Sequence, residues 1–170
     1  MTTTRLFCAD DLLRFSSTNM DPLTETYTMS FYLSYLARWP GMCSMQESAT
    51  GRISSYMVGK AEGRGREWHG HVSALTVAPE FRRLGLAKTL MAELERVSEK
   101  AYSGWFVDLF VRVGNTVAVR MYDALGYRVY RRVLSYYQDP MEDAFDMRKA
   151  CARDVKKVCE VPLPLPTDRV

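Results

Sequence analysis

Residues 69–101 constrain the fold more than any other stretch of this 170-residue chain. Residues 69–77 read as a largely buried strand through Val72, Ala74, Leu75 and Val77, and Pro79 ends it. From Leu84 the apolar positions run Leu84, Ala87, Leu90, Met91, Leu94, Val97 and Ala101. Steps of three and four describe one face of a helix about five turns long. The joint between them is Ala78-Pro79-Glu80-Phe81-Arg82-Arg83-Leu84-Gly85-Leu86-Ala87. Backbone N–H groups at a helix start, with the positive end of the helix dipole, favour an anion. Gly85 has no side chain to hold a phosphate off the backbone, and Arg82 and Arg83 can add charge-assisted bonds to its oxygens. Taken alone, Arg-x-x-Gly-x-Ala also fits a solvated arginine pair and a glycine that lets helix and strand pack closely. The chain has no G-x-x-x-x-G-K-[ST] and no G-x-G-x-x-G after its first strand, which argues against a P-loop enzyme and a dinucleotide fold.

The other elements follow from period and punctuation. Residues 3–7 read as a first strand, and Asp10 or Asp11 caps a helix carrying Leu12, Leu13 and Phe15 that Asp21-Pro22 breaks. A short aromatic helix over 31–36 ends before Pro40-Gly41, residues 43–48 are ambiguous, and 52–60 is a strand closed by the turn signal Gly63-Arg64-Gly65. Residues 105–111 form a near-continuous apolar run of central-strand type. Residues 115–125 are helical with Val117, Met121 and Leu125 on one side, and Gly126 stops them. Strands follow at 127–137 and 145–148. This order makes an α/β or α+β domain on a mixed sheet, spanning 1–150, with an extended or partner-associated tail over 151–170 marked by Pro162-Leu163-Pro164-Leu165-Pro166.

Composition narrows the class. Apolar residues at 47% and charged residues at 25% suit a globular domain and exclude disorder. A net charge of +3 is too mild to imply direct nucleic-acid binding. Cys8, Cys43, Cys151 and Cys159 form no C-x-x-C pair and no disulfide framework, so reduced thiols in the cytoplasm or the nucleus are expected. There is no signal-peptide run and no membrane-length apolar stretch. His69 and His71 are the only histidines, and no Cys or carboxylate spacing completes a zinc set, so no metal is expected.

A second constellation lies one supersecondary unit beyond the first: Asn115-Thr116-Val117-Ala118-Val119-Arg120-Met121-Tyr122, then Leu125-Gly126-Tyr127. Asn115 and Tyr122 are about two helical turns apart and share a face. In isolation, a helix cap and an amphipathic core tyrosine explain them better than a shared cleft does. Together with the strand–turn–helix unit, however, they resemble the GNAT acetyltransferase superfamily, whose fold has this element order: a mixed, mostly antiparallel sheet of about seven strands flanked by four helices. The likeness narrows through Asp21-Pro22-Leu23-Thr24-Glu25-Thr26-Tyr27, Gly59-Lys60-Ala61-Glu62-Gly63, Trp68-His69-Gly70-His71-Val72, Phe106-Val107-Asp108-Leu109-Phe110-Val111-Arg112 and Asp146-Met147-Arg148-Lys149-Ala150. These look like the catalytic subunits of NatB-type N-terminal acetyltransferases. The likeness covers 1–150, is weakest over 42–56, and extends only loosely past 150.

The resemblance implies acetyl transfer from acetyl-CoA to the α-amino group of nascent chains beginning Met-Asp, Met-Glu, Met-Asn or Met-Gln. It implies a large helical-repeat auxiliary subunit, work on ribosomes through that complex, and no membrane. It places the cofactor on Leu75, Val77, Arg82, Arg83, Leu84, Gly85, Leu86, Ala87, Asn115 and Tyr122. Tyr122 and Asn115 carry catalysis, Tyr122 by protonating the departing thiolate. Glu25, Tyr27, His71, Tyr136 and Tyr137 face the peptide, His71 as a donor to the second side chain; without the family, His71 reads as a structural histidine. The aromatic stripe Phe31, Tyr32, Tyr35 and Leu36 is core or a partner surface. Three rivals remain: a GNAT enzyme acting on lysine or a small amine, a non-catalytic GNAT-like binding subunit, and a nucleotide-binding module.

Overall fold

The N-terminal alternation forms β1 (Thr2–Leu6) in the computed structural model, which describes residues 2–20 and 24–163. Asp21, Pro22 and Leu23 of the expected break, and Pro164 onward of the tail, lie outside the described residues. Two compact units divide the chain: one takes residues up to Ala61 together with Val72–Val97, the other Glu62–His71 together with everything from Ser98.

In the first unit the strands run in the order β1, β2 (Cys43–Ser48), β3 (Ile53–Glu62, to Ala61) and β4 (His69–Val77, from Val72). β1 pairs antiparallel with β2, and β2 with β3. The ambiguous 43–48 segment is thus an inner strand, which explains its fully buried Cys43 and Met45. Helix α1 (Met29–Arg38) is longer than the aromatic run suggested because Thr28 caps it, accepting from the Phe31 N–H at 3.3 Å. Its Tyr32 and Tyr35 enter a core with Phe7, Phe15 and Tyr56, and Phe31 and Leu36 pack against that core half-buried. The Phe15 ring meets Tyr32 edge-on at 5.2 Å. Each such buried aromatic contributes about 1.5–3 kcal/mol.

The expected helix after Asp10 is instead two 3-10 turns, Ala9–Leu13 and Ser16–Asn19. Asp11 sits at the third position of the first turn, where it accepts from the Cys8 N–H at 2.9 Å and from the two terminal Arg5 nitrogens at 2.7 Å. Thr18 is spent on the Ile53 carbonyl. Short polar side chains that bond the backbone compete with a continuing helix. Leu13 accordingly points to solvent while Leu12 and Phe15 are buried.

Helix α2 (Leu86–Lys100) begins two residues later than its apolar pattern and spans about four turns. Arg83 and Gly85 both have left-handed backbones, at φ 65° and 79°, which an α-helix excludes. Leu84 is therefore 65% exposed rather than a member of the apolar face, which consists of Leu86, Leu90, Met91, Leu94 and Val97; Ala101 falls beyond the helix end.

In the second unit β5 (Phe106–Arg112), β7 (Met141–Ala150) and β6 (Arg128–Gln138) run in that order, both pairs antiparallel. Helix α3 (Thr116–Ala124) turns Tyr122 inward and leaves Val117 80% exposed, contrary to the expected apolar side. Among the described residues there are seven strands and three α-helices, one helix fewer than expected. All four cysteines are thiols, and no described helix is long and apolar enough to cross a membrane. Residues 151–163 are turns that tie back to this unit: Glu160 accepts from the Ala150 N–H at 2.8 Å, and the Leu163 N–H donates to Tyr130 at 2.7 Å.

The turn at Gly63 sets the entry to β4. Gly63 has φ 94°, and a Cβ there would collide with the Glu67 carbonyl. Gly63→Ala is expected to cost about 2 kcal/mol or more, lowering the thermal midpoint by about 5 °C in a chain of this size. An unchanged midpoint in thermal unfolding would refute the close approach.

Candidate active site

The joint between β4 and α2 is a short turn followed by two left-handed residues. β4 ends at Val77, whose carbonyl accepts from Arg82 Nε at 3.2 Å. A short turn over Pro79–Phe81 follows, and Arg82, Arg83, Leu84 and Gly85 stand exposed before buried Leu86 and half-buried Ala87 open α2. Left-handed residues within a turn curl successive N–H groups toward one concavity, a nest that suits anions. A Cβ at Gly85 would meet nothing within 4 Å, so the space beside this backbone is open to a ligand. Leu75 and Val77 on β4 are half-buried beside it in sequence.

Tyr27 belongs to the same unit. Its hydroxyl donates to the Ser73 carbonyl of β4 at 3.2 Å, and its ring stacks on Phe31 at 4.1 Å while remaining 39% exposed. Ser73 also donates to the Tyr35 hydroxyl at 2.9 Å, so core and loop meet on that strand. Glu25 is exposed in the segment leading to α1.

On α3, Asn115 is the helix cap: its Oδ1 accepts from the Ala118 N–H at 3.2 Å. Tyr122 is buried, its ring 6.0 Å from Tyr127, and burial pushes its phenol pKa up, so it holds its proton at neutral pH.

The second unit brings His71, Tyr136 and Tyr137 together through a residue that the sequence reading did not single out, Phe110. His71 lies against Phe110 at 5.7 Å, Tyr136 stacks on it at 4.8 Å, and the Tyr137 hydroxyl donates to its carbonyl at 3.2 Å. Neighbours on a strand normally point to opposite faces. Here the β6–β7 register shifts between Val133 and Tyr137, and Ser135 is left-handed at φ 49°, so the alternation is interrupted and the two tyrosine rings meet at 4.9 Å. Arg112 lies over Tyr137 at 4.0 Å.

Behind His71 is a buried carboxylate that was also missed. Asp108 Oδ1 lies 2.8 Å from His71 Nδ1 and 3.3 Å from His69 Nε2. Glu62 Oε1 is 3.9 Å from each of those nitrogens. The fold thus supplies two carboxylates to the histidine pair although no sequence spacing announced them, and Glu62, His69 and His71 have the ligand types of a metal site. The Asp108 contacts are at hydrogen-bond distance, so each imidazole can donate to that carboxylate. Burial would raise the Asp108 carboxyl, but the His71 charge and hydrogen bonds from both imidazoles hold it well below the usual carboxylate range. Burial alone would lower His69, yet the hydrogen bond and charge of Asp108, together with the Glu67 carbonyl and the Glu62 charge, outweigh it and raise His69 above its ordinary value.

This pair makes stability depend on pH. The raised His69 stabilises below its ordinary pKa of 6.5 and loses that effect as pH rises through its folded value; the depressed Asp108 stabilises above 3.8 and loses that effect as pH falls. Between about pH 6 and about pH 8.5 the thermal midpoint is therefore expected to fall more steeply for the native chain than for His69→Gln. Parallel curves from calorimetry would show that the pair carries no such linkage.

Known proteins match this arrangement over nearly the whole chain. The sequence model of the Acetyltransferase (GNAT) family matches residues 11–127. The chain belongs to the GNAT acetyltransferase family. It is 55% identical to the N-terminal acetyltransferase B complex catalytic subunit NAA20 of Arabidopsis thaliana, over 98% of this chain and 95% of that one. Its fold is similar to Chaetomium thermophilum Naa20 in complex with a bisubstrate analogue, with TM-score 0.91 and 40% identity over 99% of this chain and 96% of that one. It is also similar to a chain of the NatB acetyltransferase complex bound to CoA and MES, with TM-score 0.80 and 42% identity over 87% and 98%. The GNAT resemblance read from the two motifs is borne out, while the extra sequence-expected helix is not present among the described residues.

Proposed function

We propose that this chain is the catalytic subunit of a NatB-type N-terminal acetyltransferase. It moves the acetyl group of acetyl-CoA to the α-amino group of nascent chains beginning Met-Asp, Met-Glu, Met-Asn or Met-Gln. It works in the cytoplasm, at the ribosome, with a large helical-repeat auxiliary subunit. The observation that carries the reading is 55% identity, end to end, to a protein of that name, in a chain whose α2 entrance suits a diphosphate.

The residues present fit acetyl-CoA. The left-handed backbones of Arg83 and Gly85 suit a nest of backbone N–H donors, Arg82 and Arg83 are exposed beside it, and the space where a side chain at residue 85 would stand is open. Arg82, Arg83, Gly85 and Ala87, with the N–H groups between them, are assigned to the diphosphate, and Leu75, Leu84 and Leu86 to its surroundings. When bound, acetyl-CoA supplies an activated acyl group and a thiol leaving group. Backbone N–H groups near Val77 are assigned to the thioester carbonyl oxygen. Tyr122, kept protonated by burial, holds a proton for the departing sulfur. Asn115, its oxygen committed to the α3 cap, retains an amide donor for the cofactor arm or a water. Glu25 and Tyr27 are assigned to the peptide's leading residues, and His71, Tyr136 and Tyr137 to its side chains.

The nucleophile explains why no strong base is required. An α-amino group with a pKa of about 7.8 is roughly one-fifth neutral at about pH 7.2, whereas a lysine near about 10.4 is neutral only about once in a thousand. A water can take the proton that the attacking nitrogen loses. The test is an initial-rate peptide panel with and without a co-expressed auxiliary subunit. Met-Asp, Met-Glu, Met-Asn and Met-Gln peptides are expected to exceed Met-Ala by at least about tenfold in kcat/KM. Equal rates across the panel would reject the substrate class, and His71→Ala that preserves the preference would remove His71 from reading it.

A further inference from the structure

In the second unit, the turn that opens α3 and the hairpin that joins β6 to β7 are tied together by two charged side chains that the roles above leave out. Arg112 closes β5, and its side chain is only 9% exposed. Its guanidinium donates to the carbonyls of Asp139 and Pro140, both at 3.1 Å, at the two-residue tip between β6 and β7. It also lies over the Tyr137 ring and donates to Glu142 Oε2 at 3.3 Å. Glu142 stands opposite Tyr137 in the β6–β7 register. Its other oxygen, Oε1, accepts from the Gly114 N–H at 2.5 Å. Gly114 immediately precedes Asn115, the cap of α3, whose own N–H donates to the Arg112 carbonyl at 3.0 Å. One carboxylate thus serves two donors, the guanidinium that clamps the hairpin tip and the backbone that leads into α3. A Cβ at Gly114 would stand 2.7 Å from Glu142 Oε1, while the backbone there is not left-handed. The glycine is therefore explained by the approach of the carboxylate rather than by its φ.

We propose that Glu142, anchored by Arg112, is a positioning residue for peptide binding, which fastens the hairpin carrying Tyr137 to the head of α3. The inference rests on the assignment of Tyr137 to the peptide. A side chain already held where a substrate needs it costs no ordering when the substrate arrives. Tyr137 is held from two sides: its hydroxyl donates to the Phe110 carbonyl, and its ring is covered by the guanidinium. The planar fork of an arginine can engage several acceptors in fixed directions, which the point charge of a lysine does not reproduce. Glu142 supplies the charged partner that keeps this fork in place, and charge-assisted bonds are the strong ones. Through Gly114 the same carboxylate makes the placement of Tyr137 depend on the entry to α3, where Asn115 stands. Arg112 and Glu142 act through Tyr137 rather than on a reacting atom.

The test is a double-mutant cycle of Gly114→Ala and Glu142→Ala in the complex with its auxiliary subunit, with kcat and KM measured for acetyl-CoA and for a Met-Asp peptide. The nearest atoms that the added methyl of Gly114→Ala meets are those of the Glu142 carboxyl group, the far end of a flexible side chain, so the carboxylate yields and the fold is kept. This variant is expected to raise the peptide KM about tenfold, with kcat and the KM for acetyl-CoA changed less than about threefold. Glu142→Ala is expected to do the same. The two together are expected to be no worse than either alone, because the methyl then has no carboxylate to displace. Glu142→Gln keeps the size of the side chain but has one acceptor oxygen for two donors, and it too is expected to raise the peptide KM; it decides the matter where an alanine variant does not assemble. A purely structural role would lower the amount of active complex, seen in kcat, and leave the peptide KM in place. A native peptide KM in the Glu142 variants overturns the proposal, as do effects of Gly114→Ala and Glu142→Ala that multiply. Tyr137→Ala with an unmoved peptide KM removes the assignment of Tyr137, and this proposal with it. A native complex that acetylates no Met-Asp peptide removes the proposed function itself.

Discussion

Tyr122→Phe is expected to lower kcat about a hundredfold, the usual contribution of a positioned proton donor, with KM for acetyl-CoA and peptide changed by less than about threefold. The reasoning starts from what the substitution leaves behind. The Tyr122 ring is buried against Tyr127 at 6.0 Å, and Phe keeps that packing. Burial pushes the phenol up, so the lost atom is a proton held at neutral pH. The departing sulfur must then leave unassisted or take its proton from water. Steady-state kinetics with both substrates varied checks this. A native kcat, or a loss confined to KM, would take Tyr122 out of the chemistry.

Asp108→Ala carries the largest expected loss of stability. It leaves buried His71 and half-buried His69 without their shared acceptor, and breaking a buried charged group's partnership costs about 3–5 kcal/mol. At about 2–4 °C per kcal/mol for a chain of this length, the thermal midpoint is expected to drop by about 10 °C at about pH 6. The drop should shrink as pH rises through the raised His69 value, because that imidazole then loses the charge that Asp108 balances. A midpoint within about 2 °C of native at acid pH would show that the cluster is solvated rather than load-sharing.

What was legible in the sequence was apolar patterning. β4 is visible as an apolar run closed by Pro79, and α2 because its apolar face repeats every three or four residues. The helix start was misplaced at Leu84 because hydrophobicity does not report a left-handed backbone, and Arg83 and Gly85 reset the entry. Residues 9–19 failed for a related reason: Leu12 and Phe15 have helical spacing, yet Asp11 and Thr18 spend their side chains on local and cross-strand partners. The interruption at Ser135 that lets Tyr136 and Tyr137 share Phe110 has no pattern at all. Asp108 did leave a signal. It is a lone acid in the middle of the apolar run Phe106–Arg112, and a charge buried in a central strand must have a partner. Two histidines two residues apart on another strand were the obvious place to look.

The reaction itself is tested most directly by locating the transferred group. A Met-Asp peptide with one internal lysine and a free N-terminus, incubated with acetyl-CoA and the purified complex, is analysed by fragment-ion mass spectrometry, alongside the same peptide with its N-terminus blocked. Acetyl on the α-nitrogen alone, and none on the blocked peptide, is the expected result. Acetyl on the lysine, or transfer that survives blocking, would contradict it.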